Sequence, residues 1–269
     1  MEQATKDLIS FFEKIETSIA RYPKFLRFIE SGKKWILRFV NTYYDNKFLA
    51  KLPKEQSRLF SNLLKKSKSQ FRQDLFVLLE SDFKKNGFFV EFGATNGFDF
   101  SNTYLLENTF GWIGILAEPA KCWHDSLRKN RNCHIETRCV WSNSGSILTF
   151  NEVDNADFST ISNYSLIDLH KEARTRGKYY GVETISLHDL LNLYKAPQNI
   201  DYLSIDTEGC EFEILANLDF DKYQFRVITC EHNFTPTREK IYKLLTYHGY
   251  VRKFTDISRF DDWYVRRGV

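Results

Sequence analysis

Residues 91–97 read Glu-Phe-Gly-Ala-Thr-Asn-Gly and place a carboxylate directly before a glycine-containing turn. Apolar β-forming residues precede this stretch, and Ser101-Asn102-Thr103 follows it at the start of an apolar helical pattern. The sequence therefore predicts a strand, a tight loop and a helix N-terminus in succession. Glycine lets a ligand approach the backbone, because it has no Cβ and tolerates positive φ. A helix N-terminus offers unpaired N–H groups to a carboxylate or another anion.

The acid at Glu91 distinguishes this loop from that of a dinucleotide-binding fold. The glycines have the spacing G-x-x-x-G, and the third glycine of the dinucleotide fingerprint is missing. A carboxylate at this position repels a pyrophosphate and attracts a cation, such as the amino or sulfonium group of S-adenosylmethionine. A glycine loop by itself is also consistent with an ordinary turn between a strand and a helix.

Acidic residues end three further predicted strands, at Glu118, Asp206 and Glu231. Because a buried carboxylate costs free energy unless it is paired, packing alone does not explain an acid at four strand ends. Glu118 is placed to accept both hydroxyls of a ribose, as the acid of nucleotide-binding folds does. The alternative is a helix N-cap, which the following Pro119 at a first helical position would also permit.

Two of these strand ends carry groups that could serve catalysis. His232 is the candidate general base, since an unperturbed imidazole has a pKa of about 6.5; the alternative is a hydrogen-bonded structural histidine. Asp206, Glu231 and Asn233 form an all-oxygen set of the kind that Mg²⁺ or another hard cation prefers. The alternative for Asp206 is direct contact with cofactor or substrate, without a metal.

The elements that must position these residues alternate between strand and helix. Strands this apolar need helices on both faces, which indicates a parallel, doubly wound α/β sheet with its ligands at the carboxyl ends of the strands. The two last strands follow each other closely and predict an antiparallel pair. The predicted strands are 88–92, 112–117, 134–140, a short extra one at 147–150, one beginning at 182, 200–205, 225–230, 250–254 and 261–265.

The segment from Asp154 to Gly181 is polar and has no clear period, which is typical of a lid or a binding loop. Its charged and aromatic residues could hydrogen-bond to a sugar, stack on it, or pair with a phosphate of an activated sugar; solvated loop residues are the alternative. Glu208 begins a helix, where the dipole favours an acid in any case. The candidate substrate residues are Asp157, Arg174, Arg176, Tyr179, Tyr180 and Glu208.

These motifs occur in an order that resembles the FkbM-type family of S-adenosylmethionine-dependent methyltransferases, over roughly residues 70–266. The resemblance implies a class I methyltransferase fold (α/β, Rossmann-like) with sheet order 3-2-1-4-5-7-6 and strand 7 antiparallel. It also implies methylation of an oxygen, often on a sugar or polyketide. The motifs that carry the resemblance are Glu91-Phe92-Gly93-Ala94 with Gly97, Ser101-Asn102-Thr103, Leu106-Glu107, Gly111-Trp112 with Gly114, Glu118-Pro119, Ser204 to Gly209 with Glu211, and Glu231-His232-Asn233.

The resemblance also assigns cofactor contacts by position. Glu91 and the loop from Gly93 to Gly97 would hold the methionine portion, and Asn102 would meet its carboxylate. Glu118 would bind the ribose, while Val140 and Trp141 would flank the adenine. Members often have Asp-Gly where this chain has Asn96-Gly97. The full set of predicted cofactor residues is Glu91, Phe92, Gly93, Ala94, Gly97, Ser101, Asn102, Glu118, Pro119, Val140, Trp141 and Asp206.

The remaining chain suggests a domain at 70–269 preceded by a helical appendage at 1–69, which would act as a cap or an oligomer contact. Between Arg21 and Lys68 there are thirteen Lys or Arg against three Asp or Glu. Such a basic amphipathic segment is either a solvated helical face or a surface for an anionic membrane. Five scattered cysteines without C-x-x-C pairing predict reduced thiols in a cytoplasmic protein. No signal peptide and no spanning segment are predicted.

The sequence thus predicts an O-methyltransferase that acts on a hydroxyl of a sugar, a glycan or a glycan precursor. It would use S-adenosylmethionine and could require Mg²⁺ or another divalent cation. A homo-oligomer and contact with the inner membrane surface are further expectations, and nucleic acid is not expected because no basic stripe with interleaved aromatics is present. The alternatives are a nucleotide-sugar oxidoreductase and a silent fold that serves as a binding or assembly module.

Overall fold

The computed structural model describes residues 38–153, 156, 159–164 and 173–268. These residues fall into two compact units that divide between Lys65 and Lys66. The helices predicted before residue 38 lie outside the described residues. In the first unit, residues 38–49 are helical and helix α1 spans Lys54–Leu64. Phe48 and Phe60 are buried and pack edge to face with ring centroids 5.7 Å apart, so apolar spacing along the chain accounts for this helix pair.

The second unit alternates strands and helices from residue 73 onward. Its helices are α2 Gln73–Glu80, α3 Tyr104–Phe110, α4 His124–Asn130, α5 Leu187–Leu193, α6 Glu211–Ala216 and α7 Thr237–Tyr247, with 3₁₀ turns at Lys121–Trp123, Ser162–Tyr164 and Ala173–Arg176. Its strands are β1 Phe88–Phe92, β2 Ile113–Ala117, β3 His134–Glu136, β4 Cys139–Trp141, β5 Ile147–Glu152, β6 Thr160–Ile161, β7 Lys178–Ser186, β8 Asn199–Ile205, β9 Gln224–Glu231, β10 Tyr250–Lys253 and β11 Asp261–Arg266.

The main sheet has the strand order β10-β11-β9-β8-β1-β2-β3. The five strands from β9 to β3 are parallel, whereas β11 runs antiparallel to both β9 and β10. When the seven strands are numbered by chain order within this sheet, the sequence of strands is 3-2-1-4-5-7-6. The predicted fold class is therefore confirmed. The order switches between β1 and β8, which places the loop after β1 at the point where ligands bind in open α/β sheets.

The strands of this sheet are buried on both faces, as their apolar sequences predict. In β8 the residues from Ile200 to Ile205 are all buried, and Phe225, Ile228 and Leu203 belong to the core. Glycine serves close packing at one position in β2, since a Cβ on Gly114 would lie 2.2 Å from the carbonyl oxygen of Phe89. No helix among the described residues is long and apolar enough to cross a membrane. All five cysteines are free thiols.

The single strand predicted at 134–140 is wrong, because the chain turns at Glu136. The Oε1 atom of Glu136 accepts the N–H groups of Thr137 and Arg138 at 3.0 Å, and the Arg138 guanidinium donates to the same carboxylate. These bonds end β3 in the main sheet. Residues 139–141 then pair with β7 in a second sheet of order β4-β7-β5-β6.

The predicted loop at 154–181 is also partly wrong. Residues 178–181 belong to β7, which pairs antiparallel with β5 from Lys178 to Glu183. Thr160 and Ile161 form β6 and pair with the other side of β5. Residues 178–181 show no alternation of apolar and polar residues, because this end of β7 is largely exposed, and the strand is therefore not evident in the sequence.

Replacing Gly114 by alanine tests the close packing of β1 against β2. The new Cβ would meet the Phe89 backbone, so the strands must separate, and we expect a loss of about 1–3 kcal/mol in the free energy of unfolding. Urea denaturation measures it. Ile113→Thr is the matched control, because Ile113 is 66% exposed in the same strand; an equal loss in both variants would contradict the packing argument.

Candidate active site

The loop after β1 folds tightly over the neighbouring strand ends. Gly93 has φ of 71° and donates its N–H to the carbonyl oxygen of Ala117 at 3.1 Å. A Cβ on Gly93 would lie 1.9 Å from the carbonyl oxygen of Asp206. Only glycine fits there, so the loop brings its backbone against the end of β8. Phe92 and Ala94, which flank Gly93, are each 2% exposed and serve packing.

The carboxylate of Glu91 is occupied by the start of α3. It accepts the N–H of Asn102 at 2.7 Å and the hydroxyls of Ser101 and Thr103, the latter at very short range. Glu91 is 3% exposed. The acid that we predicted to attract the methionine portion of the cofactor therefore holds the N-terminus of α3.

Arg131 is a residue of this site that the sequence did not reveal. Its side chain is fully buried and donates to Glu107 at 2.6 Å, to the carbonyl oxygen of Gly97 at 3.2 Å and to the hydroxyls of Ser101 and Thr103 at 3.0 and 2.8 Å. It also lies 3.8 Å from Glu91. In the sequence it stands beside Arg128 and Lys129, so it looks like part of a solvated basic run.

Glu118 links the glycine loop to the turn after β2. Its Oε2 accepts the N–H of Thr95 at 2.8 Å, and its Oε1 accepts the N–H of Ala120 at 2.7 Å. The second bond reaches the residue that precedes the 3₁₀ turn at Lys121–Trp123, but no side chain caps that turn, so the predicted helix N-cap is not formed. These two bonds are compatible with the predicted ribose contact, because each carboxylate oxygen can accept more than one hydrogen bond. The glycine cradle and this acid fit S-adenosylmethionine, while Pro119 is half-buried beside them.

Two other predicted cofactor contacts serve the protein itself. The side-chain amide of Asn102 joins Ser204 at 2.9 Å to Ser69 at 2.6 Å, which leaves it engaged on both sides. Val140 is 3% exposed and belongs to the core. Trp141, by contrast, is partly exposed next to Tyr164, with the ring centroids 6.0 Å apart, and is the better placed of the two to contact an adenine.

A cluster of acids lies where β8 and β9 end and β11 begins. Carboxylate oxygens of Asp206, Glu208 and Glu231 lie within 4.8 Å of one another, and Asp261 stands opposite Glu231 in the β9–β11 ladder. Burial and the charge of Asp206 raise the pKa of Asp261 to about 8. Burial, together with Asp206, also holds the pKa of Glu231 well above its usual range. At neutral pH the cluster therefore retains at least one proton.

Part of the predicted metal set is brought together here. Asp206 and Glu231 share the cluster with Glu208, and Asn233 lines the same cleft as Glu231. These oxygen donors are of the type that a hard divalent cation prefers. The residues that line the cleft are Tyr164, Glu208, Gly209, Glu211, Glu231, His232, Asn233, Thr235 and Thr237.

The geometry of His232 does not favour the predicted general-base role. The Nδ1 atom accepts the backbone N–H of Phe234 at 3.0 Å, which uses its lone pair. The Nε2 atom lies 3.8 Å from Asp262, a carboxylate that Arg238 and Arg252 hold at 2.7 and 2.9 Å. His232 is 3% exposed. The structural alternative therefore fits this residue better.

The predicted substrate residues do not act as one group. Arg174 is 1% exposed and donates to Glu208 at 2.8 Å, so its charge is already paired. Tyr180 donates to Glu152 at 2.6 Å and accepts the N–H of Lys121 at 3.1 Å, while Tyr179 and Arg176 are exposed. Asp157 lies outside the described residues.

Sheet order, glycine loop and strand-end acids together define a class I methyltransferase that depends on S-adenosylmethionine. The chain belongs to the methyltransferase FkbM domain family, whose sequence model matches residues 91–260. No curated protein sequence matches the chain.

Solved structures of low identity also resemble the chain. A precorrin-6y C5,15-methyltransferase from Geobacter metallireducens is 13% identical over 71% of this chain and 85% of its own, with a TM-score of 0.36. A TehB-like SAM-dependent methyltransferase from Corynebacterium glutamicum is 8% identical over 79% and 96%, with a TM-score of 0.38. A putative RNA methyltransferase from Pyrococcus horikoshii is 12% identical over 72% and 81%, with a TM-score of 0.36.

Arg131→Met tests the buried network beneath the glycine loop. The substitution leaves Glu107 and Glu91 buried without their cation, and we expect a loss of roughly 3–5 kcal/mol in the free energy of unfolding, measured in urea. Arg128→Ala, at an exposed position of α4, should change it by less than about 0.5 kcal/mol. Similar stabilities for the two variants would show that Arg131 does not hold the site.

Asp261→Asn tests the raised pKa. A carboxyl whose pKa is raised by folding keeps its proton in the native state, so its contribution to stability is lost as the pH rises towards the native pKa. Between about pH 5 and pH 7, the wild-type free energy of unfolding should fall relative to that of the variant by about 1.4 kcal/mol per pH unit. Denaturation at several pH values measures this. Asp221→Asn, at an exposed position, should follow the wild type, and parallel curves for Asp261→Asn would refute the assignment.

Proposed function

We propose that this methyltransferase transfers the methyl group to a hydroxyl oxygen of a sugar, a glycan or a glycan precursor. The observation that carries the proposal is the acid cluster of Asp206, Glu208, Glu231 and Asp261 beside the glycine loop. Hydroxyl groups donate hydrogen bonds, and carboxylates accept them. The half of the edge formed by β1 and β2 suits the cofactor, so an acceptor would reach the methyl group from the half formed by β8, β9 and β11.

When bound, S-adenosylmethionine supplies an electrophilic methyl group, so the protein has to align a hydroxyl and take its proton. Alignment contributes on the order of 7–11 kcal/mol, and a general base roughly 10²–10⁴-fold in rate. Asp206 is the residue that we assign to both tasks. Its backbone carbonyl oxygen packs against Gly93, and its charge raises the pKa of both Glu231 and Asp261. Because burial raises these two pKa values as well, the two neighbours hold protons and leave Asp206 to accept the one from the hydroxyl.

The acidic residues that line the cleft favour an uncharged acceptor over a phosphorylated one. Three acids line the cleft, at Glu208, Glu211 and Glu231. Arg174, one of the loop residues that could have paired with a phosphate, is paired with Glu208. A phosphate at this edge would be repelled, which also argues against the nucleotide-sugar oxidoreductase alternative. The turnover assay also tests the alternative of a binding or assembly module.

A divalent cation belongs to this proposal as a cofactor of the acid cluster. As the alternative to direct proton transfer to Asp206, the oxygens of Asp206, Glu231 and Asn233, with Glu208, would hold Mg²⁺ beside the acceptor hydroxyl. Addition of Mg²⁺ should then raise turnover and EDTA should abolish it. Unchanged turnover in EDTA would show that the carboxylates act directly.

The test begins with calorimetric titration of S-adenosylhomocysteine, with NADH as the control ligand. Glu118→Ala removes the anchors of Thr95 and Ala120, and we expect S-adenosylhomocysteine to bind this variant about tenfold or more weakly. The wild type is then incubated with S-adenosylmethionine and uncharged methyl glycopyranosides of glucose, galactose, mannose, fucose and rhamnose, with glucose 6-phosphate as the charged comparison. Release of S-adenosylhomocysteine with an uncharged glycoside is the expected result. Cofactor binding without turnover would favour a binding module.

A further inference from the structure

Three phenylalanines from different loops meet, and two of them adjoin residues of the acidic edge, since Phe260 precedes Asp261 and Phe234 follows Asn233. Phe71 and Phe260 are stacked with ring centroids 5.6 Å apart, and Phe234 packs against Phe260 at 5.7 Å. Phe71 and Phe260 are partly exposed, and Phe234 is 40% exposed. We call these three residues the aromatic rim. Large aromatic side chains that remain exposed together at a ligand-binding edge are typical of a recognition surface.

The backbone of the aromatic rim is hydrogen-bonded to residues that adjoin or contact the acids. Phe71 donates its N–H to the side-chain oxygen of Gln73 at 2.9 Å, and the amide nitrogen of Gln73 donates to Asp261 at 2.7 Å. The carbonyl oxygen of Phe260 accepts the N–H of His232 at 2.9 Å, and Phe260 directly precedes Asp261. The rings and the carboxylates are therefore fixed relative to each other.

Phe234 is held in a conformation that its residue type disfavours. Asn233 has φ of 41° and Phe234 has φ of 56°, in the left-handed region where a Cβ crowds the backbone. His232 stabilises this turn, because its Nδ1 accepts the Phe234 N–H at 3.0 Å. Asp262, held by Arg238 and Arg252, faces the other ring nitrogen. Strain maintained by a buried network is found where the position of a residue matters for function.

We propose that the aromatic rim is the subsite for the sugar ring of the acceptor, and that His232 is the positioning residue that presents Phe234 to it. The inference rests on the proposed function and names the residues that would recognise its substrate class. A pyranose has an apolar C–H face and a rim of hydroxyls. Its apolar face would lie on the phenylalanines while its hydroxyls donate to the carboxylates of Asp206, Glu231 and Asp261.

The charges around the rings are consistent with a neutral occupant. Arg259 lies over Phe71 at 4.5 Å and Arg238 lies near Phe234 at 5.8 Å, both within the range of cation–π contacts. Arg238 is also paired with Asp262. The arginines would repel a cationic acceptor, and the acids would repel an anionic one. A neutral sugar ring would be repelled by neither.

Phe234→Gly is the direct test, because glycine tolerates the positive φ and removes the ring. Its fold should be at least as stable as the wild type, which excludes misfolding as the cause of any defect. With the methyl glycopyranoside that the wild type methylates best, KM should rise about tenfold while kcat changes less than about threefold. Phe234→Trp should retain a KM near that of the wild type. Tyr247→Ala, which removes an aromatic ring that is 87% exposed on α7, is the matched control.

His232→Asn and His232→Gln separate a positioning role from a general base. The Asn side-chain oxygen can take the place of Nδ1 and accept the Phe234 N–H, whereas Gln reaches towards the place of Nε2. A positioning role predicts that Asn keeps most of the activity with the wild-type pH profile, and that Gln raises KM as Phe234→Gly does. A general base predicts that both variants lose kcat and the ionisation that limits it.

The outcomes distinguish failure of this inference from failure of the proposed function. If the wild type methylates a glycoside and Phe234→Gly has an unchanged KM, the aromatic subsite is refuted and the methyltransferase proposal stands. Equal loss of kcat in both His232 variants would refute the positioning role. If the wild type binds S-adenosylhomocysteine and methylates no glycoside, the glycan proposal and the subsite fail together. S-adenosylhomocysteine affinity should remain within about twofold of the wild type in all variants.

Discussion

The buried ion network of Glu91 and Arg131 is the interaction on which the site depends. Glu91 ends β1 and accepts hydrogen bonds from the first residues of α3, while Arg131 joins the same hydroxyls to Glu107 and to the loop at Gly97. Both side chains are withdrawn from water, so each charge needs its partner. The network consequently ties the loop after β1 to the start of α3 and to α4.

The two halves of the strand-end edge have different chemistry. On the side of β1 and β2, acids are saturated by backbone N–H groups, as Glu118 is by Thr95 and Ala120, and they fix the shape of the loop. On the side of β8, β9 and β11, Glu231 and Asp261 face further acids and have raised pKa values. The acids of the first half are therefore used to fix the backbone, whereas those of the second half confront one another and titrate at unusual pH.

Three consecutive residues, 231–233, have different environments and make different contacts. Glu231 enters the acid cluster, His232 turns inward to the backbone of Phe234 and to Asp262, and Asn233 lines the cleft. A histidine at a strand end is therefore a weak indicator of a general base. Its ring has two nitrogens, and the hydrogen bonds made by each decide its function.

The sequence by itself determined the fold class and the positions of the strand-end acids, and its resemblance to the FkbM-type family implied the strand order. Apolar runs require burial on both faces, and parallel strands bring their carboxyl ends to one edge. Tertiary structure decided which of those acids are satisfied by the protein and which confront one another. It also decided that Arg131 is buried and that Phe71, Phe234 and Phe260 meet. These outcomes depend on contacts between residues far apart in the chain, which no local pattern of residue types encodes.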